Sequence, residues 1–519
     1  MDKNMEPRHT QDETTGVKHD EGITMDDIEH GSHKACSDYD KVRLRAVYRR
    51  LDFRIIPALW VLYFLCSAVR ANVGLAQTMN KRSGHDLESQ LHLTAHQVSI
   101  GLALFYASYV VLEVPSNLMM SKLSPQVWLA RIVISVGVIG TAMVGMRNAA
   151  GFYVLRLLLG AVEAGAWPGM SLYLTLWYPP QQMAKRVGYY FTASQVSAAV
   201  VGLVSAGFQK MDGDRGLVGW RWMVLLWGLV TLMVGLSLFW WLPDRPIRPG
   251  EQRKPGILGQ WLPEGKPALG RADALLHYRD LRTAYHNTTW GWRELTAVLL
   301  DWRFWPLMVM YFGVVGVGNG LTSYGSVILA AINPSFTGVE LSLLYAPIWI
   351  CDFIAILLVT PLSDRFHKHR ALLFSLPTLL QIAGLLVATY SGDSIPEKWG
   401  RYVGLLMVGF GLGPTVPITM TWTAEIFQRR HGEIGVAAAS ALVSGLGNCG
   451  SILTNYALYS GWAGDENSSP PYSRSNWVMV AILIASIAAA ATMSLLLGLF
   501  DGGKGSPKEL AINQVTEES

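Results

Sequence analysis

The stretch RLLLGAVEAGAWPG, residues 156–169, sets Arg156 and Glu163 in an otherwise apolar segment that small residues and Pro168 interrupt. Its flanks, 152–155 and 170–177, extend the apolar run beyond 20 residues, the length that spans a bilayer. In a soluble core one arginine and one glutamate need no comment. In hydrocarbon an ionisable side chain is expensive and marks function by default.

Composition agrees with a membrane setting. Of 519 residues 51% are hydrophobic and 15% charged, against roughly 25% charged in an average soluble domain, so the chain reads as an all-α polytopic membrane protein. The net charge of +4 is spread over termini and loops, without the basic and aromatic interleaving that tracks nucleic acid. The expected surface partner is membrane lipid, not nucleic acid. Cys36, Cys66, Cys351 and Cys449 show no paired spacing, which supports neither a disulfide framework nor a metal site. Residues 1–50 are polar, carry His9, His19, His30 and His33 and lack an apolar leader core, so they read as a disordered cytosolic tail.

Apolar segments run over 55–77, 98–118, 128–146, 152–177, 187–208 and 220–242, and again over 304–329, 341–361, 371–390, 402–424, 434–459 and 477–500. Six and six, separated by a polar interval, outline a transporter of two six-helix halves around a midplane site. The expected divisions are an N-terminal half at 51–242, a cytosolic central loop at 243–303 with a short amphipathic helix near 272–285, a C-terminal half at 304–500, and a cytosolic tail at 501–519. Lys and Arg before the first span and in the central loop place both termini inside. The sequon at Asn467 then falls outside.

Ionisable residues within the spans are few: Arg70, Glu113, Arg156, Glu163, Asp352 and, at the end of the tenth, Glu425. No span contains histidine, so protonation switching falls to a desolvated carboxylate. Arg156 and Glu163 are seven residues apart, on one helix face and about 10 Å apart along the axis, too far to pair with each other. Counting from the span ends places Arg70 and Arg156 at one depth with Glu163 below, an anion-attracting vestibule over a carboxylate. Asn72 supplies a nearby amide, and Glu113 reads as a gate or packing residue. Asp352 suits a proton or a structural role equally.

The glycines at 313, 316, 318 and 320 around Asn319, followed by Tyr324, are the candidate flexible gate of the second half, although close helix packing alone explains such residues. Pro168, Pro414 and Pro417 can break backbone bonding beside a cavity. Trp128, Trp177, Trp220, Trp222, Trp302, Trp305 and Trp477 sit at span ends as interfacial anchors, while Trp167 and Trp422 lie deeper, where packing or a substrate path would hold them. The loop PLSDRFHKHR sets Asp364 and Arg365 at a span end with Arg370 following, which suggests an inside latch of charge pairs.

That loop resembles the signature of the major facilitator superfamily, G-x-x-x-D-R-x-x-R-R in outline, with Pro361 where the glycine usually stands. RLLLGAVEAGAWPG, LEVPSN at 112–117, KLSPQVWLAR at 122–131 and YPPQQMAKRVGYYFTASQ at 178–195 are similar to the fungal anion:cation symporters, the allantoate permease family, over about 51–500. Related vesicular and lysosomal organic-anion carriers share an Arg-x-Asn element, matched by Arg70 and Asn72, and an Arg and Glu in the fourth span. The resemblance implies proton-coupled uptake of a small anion across the plasma membrane. The usual first-span pattern, L-D-R-x-N-x-G-N-A in outline, here reads AVRANVGLA, with Val69 and Leu75 at the acidic and second amide positions. This departure points to a different anion, with the branch for sulfonates and other sulfur sources as the expectation.

These readings assign Arg70, Asn72, Arg156, Asn319 and Tyr324 to the substrate, Glu163 and Asp352 to proton coupling, and Glu113, Asp364, Arg365 and Arg370 to gating. The expected partners are a small-molecule anion and protons, with no cofactor beyond the proton gradient. An efflux pump on the same fold and a nutrient sensor without net flux remain alternatives. No nucleophile, base and oxyanion arrangement supports an enzyme.

Overall fold

In a layer without water the backbone can only bond to itself, so long apolar runs become helices. The computed structural model describes residues 38–179, 182–246, 268–284, 292–366, 369–392, 395–465 and 467–501, and these contain helices and no strand. The predicted tail at 1–37 and the stretch 502–519 lie outside the described residues. Helix α1 (Asp38–Ala76) starts inside the expected tail and runs unbroken through the first span.

The first half continues with α2 (Ala95–Lys122), α3 (Pro125–Ala142), α4 (Ala149–Glu163), α5 (Ala166–Thr175), α6 (Met183–Lys210) and α7 (Gly219–Trp241), after which α8 (Arg271–Ala284) stands in the central loop. The second half holds α9 (Phe304–Ile332), α10 (Gly338–Arg365), α11 (Arg370–Tyr390), α12 (Ile395–Leu412), α13 (Thr415–Gly447), α14 (Cys449–Ala457) and α15 (Ser473–Asp501). Among the described residues eleven helical stretches are long and apolar enough to cross a membrane. The remaining predicted span, 434–459, is divided between α13 and α14 at Asn448, and the whole is a twelve-helix fold of two six-helix halves. The repeat is visible in the caps. Thr94 with Gln97 and Thr337 with Glu340 form capping boxes at the starts of α2 and α10, the second span of each half.

Lipid tails give apolar helices no reason to prefer one another, so close backbone approach and hydrogen bonds must hold the halves together. At the end of the bundle away from the central loop they do so densely. Gln77 Nε2 of α1 donates to the Ser323 carbonyl of α9 at 2.9 Å, and Ser326 Oγ donates back to the Gly74 carbonyl at 2.8 Å. A Cβ on Gly74 would lie 2.4 Å from the Thr322 carbonyl. Between α6 and α10, Gln209 Nε2 donates to Ser342 Oγ at 2.8 Å. Tyr324 shares hydrogen bonds with Ser99 Oγ of α2 and the Asn455 carbonyl of α14 at 2.9 and 2.8 Å. This far end is closed.

At the opposite, linker end, Arg186 of α6 grips Asp52 of α1 through two hydrogen bonds of 2.6 and 2.9 Å, with its guanidinium 3.9 Å over the Tyr178 ring. Helix α8 forms where an amphipathic helix was expected, and it docks on the first half. Asp273 takes hydrogen bonds from Arg43 Nε (2.9 Å) and Arg50 Nη1 (3.2 Å), and the Tyr48 hydroxyl donates to Asp280. His277 is buried against Tyr48 and Trp177 and donates from Nε2 to the Trp177 carbonyl at 2.8 Å.

Two outcomes follow from these seals. Gly74→Val should force α1 from α9, and a cysteine placed at Ser326 should then react several-fold faster with a membrane-impermeant maleimide than in the Gly74 background. Burial holds His277 below its ordinary value of 6.5, outweighing the Trp177 carbonyl and Asp280, so the undocked helix binds the proton more readily than the docked one. Docking is therefore at full strength above about pH 6.5 and weakens as pH falls toward the lowered value. Amide protection across 271–284 should drop in that window, and His277→Gln should remove the pH dependence.

Candidate translocation site

The charged stretch owes its shape to one glycine. Helix α4 stops at Glu163, Ala164 turns extended, and Gly165 adopts φ 84° before α5 starts at Ala166. Left-handed backbone is cheap only for glycine, and a Cβ here would also fall 2.4 Å from Ser116 Oγ. Pro168 sits in the first turn of α5, where its missing N–H has no helical acceptor to lose. The second half repeats the break at the matching span, between Leu412 of α12 and Thr415 of α13, at Gly413 and Pro414. A Cβ on Gly413 would lie 2.5 Å from Asp352 Oδ1. Each half thus interrupts its fourth span mid-membrane beside a buried acid, and interrupted helices in corresponding positions point to a transport site.

Glu163 reaches across to α1. Its Oε1 lies 3.5 Å from Nη1 of Arg70, with the two side chains 2% and 16% exposed. Arg70 also donates from Nη2 to Ser67 Oγ at 3.2 Å. Glu163 therefore sits level with Arg70, not beneath a pair of arginines. Arg156 is 1% exposed, packs against α2 and does not line the cavity, its Nε donating to the Gly101 carbonyl at 3.4 Å and its guanidinium 4.8 Å from the Phe105 ring centre. The expected two-arginine vestibule does not form, because the neighbour that absorbs Arg156 is invisible to a count along one helix.

Between the halves lies an open cavity. Tyr63, Arg70, Tyr106 and Trp167 line it from the first half, and Tyr311, Asn319, Trp349 and Asn448 from the second. Arg70 is the one charged residue among the described residues that line it. Asn319 is present, with Nδ2 donating to Ser451 Oγ at 2.6 Å. Asn72 and Tyr324 are not. Asn72 is 1% exposed and away from the cavity, since residues two apart on a helix do not share a face, and Tyr324 belongs to the far-end seal. Helix α9 runs unbroken through the glycine cluster about Asn319.

Two further buried acids lie between the halves. Glu113 of α2 packs against Gly445 of α13, and Asp352 of α10 interacts with Gln195 of α6. Of the expected latch, the side chain of Asp364 lies outside the described residues, and Arg365 is exposed with its guanidinium 5.9 Å from the Phe366 ring centre. Arg370 is 3% exposed and pairs with Glu425 Oε2 at 2.7 Å, tying α11 to α13. Tyr63, Tyr106, Tyr311 and Gln195 join the cavity without having been expected there. Tyr63 stands seven residues before Arg70, on its face of α1, and that spacing was the available signal.

The break gives a direct test. Gly165→Ala should lower the stability of the purified protein by about 1–2 kcal/mol from backbone strain alone, seen as a lower Tm. The double variant with Ser116→Gly should recover only the part due to contact.

Residues 59–454 match the Major Facilitator Superfamily. The chain is 46% identical to Vitamin H transporter 1 of Schizosaccharomyces pombe over 467 residues, 88% of this chain and 80% of that protein. It is 27% identical to a putative tartrate transporter of Agrobacterium vitis over 425 residues, 82% of this chain and 86% of that one. A bacterial homologue of the human lysosomal transporter Spinster, solved inward-facing and unoccupied, superposes with a TM-score of 0.61 at 17% identity, covering 87% of this chain and 98% of the other. At that identity the likeness speaks for the fold alone. An interrupted fourth span in each half, a cavity between the halves and a family match over most of the chain lead to one assignment: the protein belongs to the major facilitator superfamily and is a membrane transporter of small molecules, not an enzyme.

Proposed function

We propose that the protein is a proton-coupled symporter that takes up a small organic anion across the plasma membrane by alternating access, with the linker end and both termini in the cytosol. The observation that carries this reading is the Arg70–Glu163 pair at the cavity wall. With Glu163 ionised, the pair is neutral and offers an anion little. A proton on Glu163 frees the guanidinium, whose planar fork suits a carboxylate. When the anion leaves, the bare cation favours ionisation of Glu163 and the proton follows. Binding of anion and proton is thereby linked without direct contact between them.

The relatives named for vitamin H and tartrate favour a carboxylate over the sulfonate expected from the first-span departure. This agrees with the allantoate permease resemblance, and biotin, the compound called vitamin H, is the first cargo to try. No cofactor enters this reading: the gradient supplies the proton.

Uptake of labelled biotin and of a sulfonate panel into a null strain, followed against external pH, tests it. Biotin uptake should rise with an inward proton gradient and collapse with a protonophore. Arg70→Ala should lose at least tenfold in kcat/KM, as removal of one partner of a desolvated charge pair does. Glu163→Gln should lose the response to the gradient. Full pH response in Glu163→Gln would end the assignment of the proton site, and full transport in Arg70→Ala would favour an apolar efflux path. Growth effects without flux would indicate a sensor.

A further inference from the structure

The cavity is chemically uneven. Its cation is on the first half, whereas the second half contributes Tyr311, Asn319, Thr322, Trp349, Ser444 and Asn448, none of them charged. A compact dianion would leave one carboxylate without a counter-charge in a desolvated site, which is costly. A monoanion leaves no such residue of charge.

On the first-half wall, beside the break in the fourth span, two polar atoms stand idle. Trp167 and Gln195 are each 6% exposed and line the cavity, and among the described residues neither Trp167 Nε1 nor Gln195 Oε1 has a hydrogen-bond partner. Phe191 connects them: its ring lies 5.2 Å from that of Trp167 at 69°, and Gln195 follows it by one turn of α6. Tyr63 closes the same wall, 5.4 Å from Trp167. A buried donor or acceptor left unsatisfied costs about 1–3 kcal/mol, a penalty removed by any ligand that brings the complement. Here the complement is a carbonyl for the indole N–H and an N–H for the amide oxygen, held against flat aromatic surface.

We propose that Trp167 and Gln195 recognise a neutral amide or ureido head on the cargo, so that the cavity takes a head-and-tail monocarboxylate whose acid end lies at Arg70. This rests on the reading of the cavity as the cargo site. Trp167 stands four residues beyond Glu163, across the break in the fourth span, so head and acid meet the same first-half wall of the cavity. Selection then comes from the idle pair, since sites built to hydrogen-bond a polar head reject analogues that lack it.

Binding and transport are to be measured separately on the full chain. Ligand-induced thermal stabilisation of purified protein should rank biotin above heptanoate, a monocarboxylate without the head, and above tartrate, a compact diacid. Trp167→Phe keeps the ring and loses the donor, and Gln195→Leu keeps the shape and loses the acceptor. Each should weaken biotin binding roughly 3- to 10-fold, the range of one neutral hydrogen bond, and leave heptanoate unchanged. In cells the same variants should raise KM for biotin and spare kcat. Equal stabilisation by tartrate and biotin, no stabilisation by biotin, or unchanged discrimination in both variants would overturn the proposal. A pH-independent uptake beside intact discrimination would instead sink proton coupling and leave head recognition standing.

Discussion

A guanidinium in a layer that cannot solvate it must find a carboxylate, and the 3.5 Å approach of Arg70 to Glu163 is the constraint from which the rest of the site follows. To bring Glu163 across to α1, the fourth span stops there, and stopping mid-membrane requires Gly165 in its left-handed conformation against Ser116. The break places Trp167 a turn further on, against Tyr63 and Phe191. One ion pair, one glycine and one indole thus share a short piece of chain, and the cavity takes its chemistry from them.

Elsewhere the halves meet chiefly through neutral groups, with Arg82 donating to the Pro334 and Phe336 carbonyls and the acids Glu113 and Asp352 buried between them. The rest of the far-end seal is carbonyls, amides and hydroxyls, with Gly74 allowing the near-backbone contact that lipid-embedded helices rely on in place of hydrophobic attraction. Such contacts are individually weak, of order 0.6–2 kcal/mol each. They can be broken and remade during a cycle without a change of protonation, which the parting of a buried ion pair needs. The ion pairs are instead kept within one half: Arg70 with Glu163 and Arg186 with Asp52 in the first, Arg370 with Glu425 in the second. Each half is stiffened internally while the surface between halves stays exchangeable.

Much of this was legible in the chain. Twelve apolar runs in two sets announced the fold because length and hydropathy are local properties. The charged residues in the spans were legible as exceptional for the same reason, as was the amphipathic helix in the central loop. Depth along one helix can also be counted. What cannot be counted is which neighbour a side chain meets: Arg156 turned to Phe105, Asn72 faced away from Arg70 two positions earlier, and Tyr324 was taken into the seal. The glycines about Asn319 are ambiguous in another way, since the same residues serve a hinge and a tight contact, and α9 runs unbroken through them.

Helix α8 adds a mechanical consequence. Its contacts through Asp273, His277 and Asp280 all go to the first half, so it moves as part of that body. The leash between the two moving bodies is then not the whole central loop but the piece between Ala284 and the helix Trp292–Leu300, whose buried Leu295 and Val298 pack against the second half. A leash of seven residues, 285–291, reaches at most about 30 Å when taut, and shortening it sets a hard stop on how far the linker ends of the halves can part. The travel of the machine could therefore be limited by deleting residues that touch neither cargo nor proton.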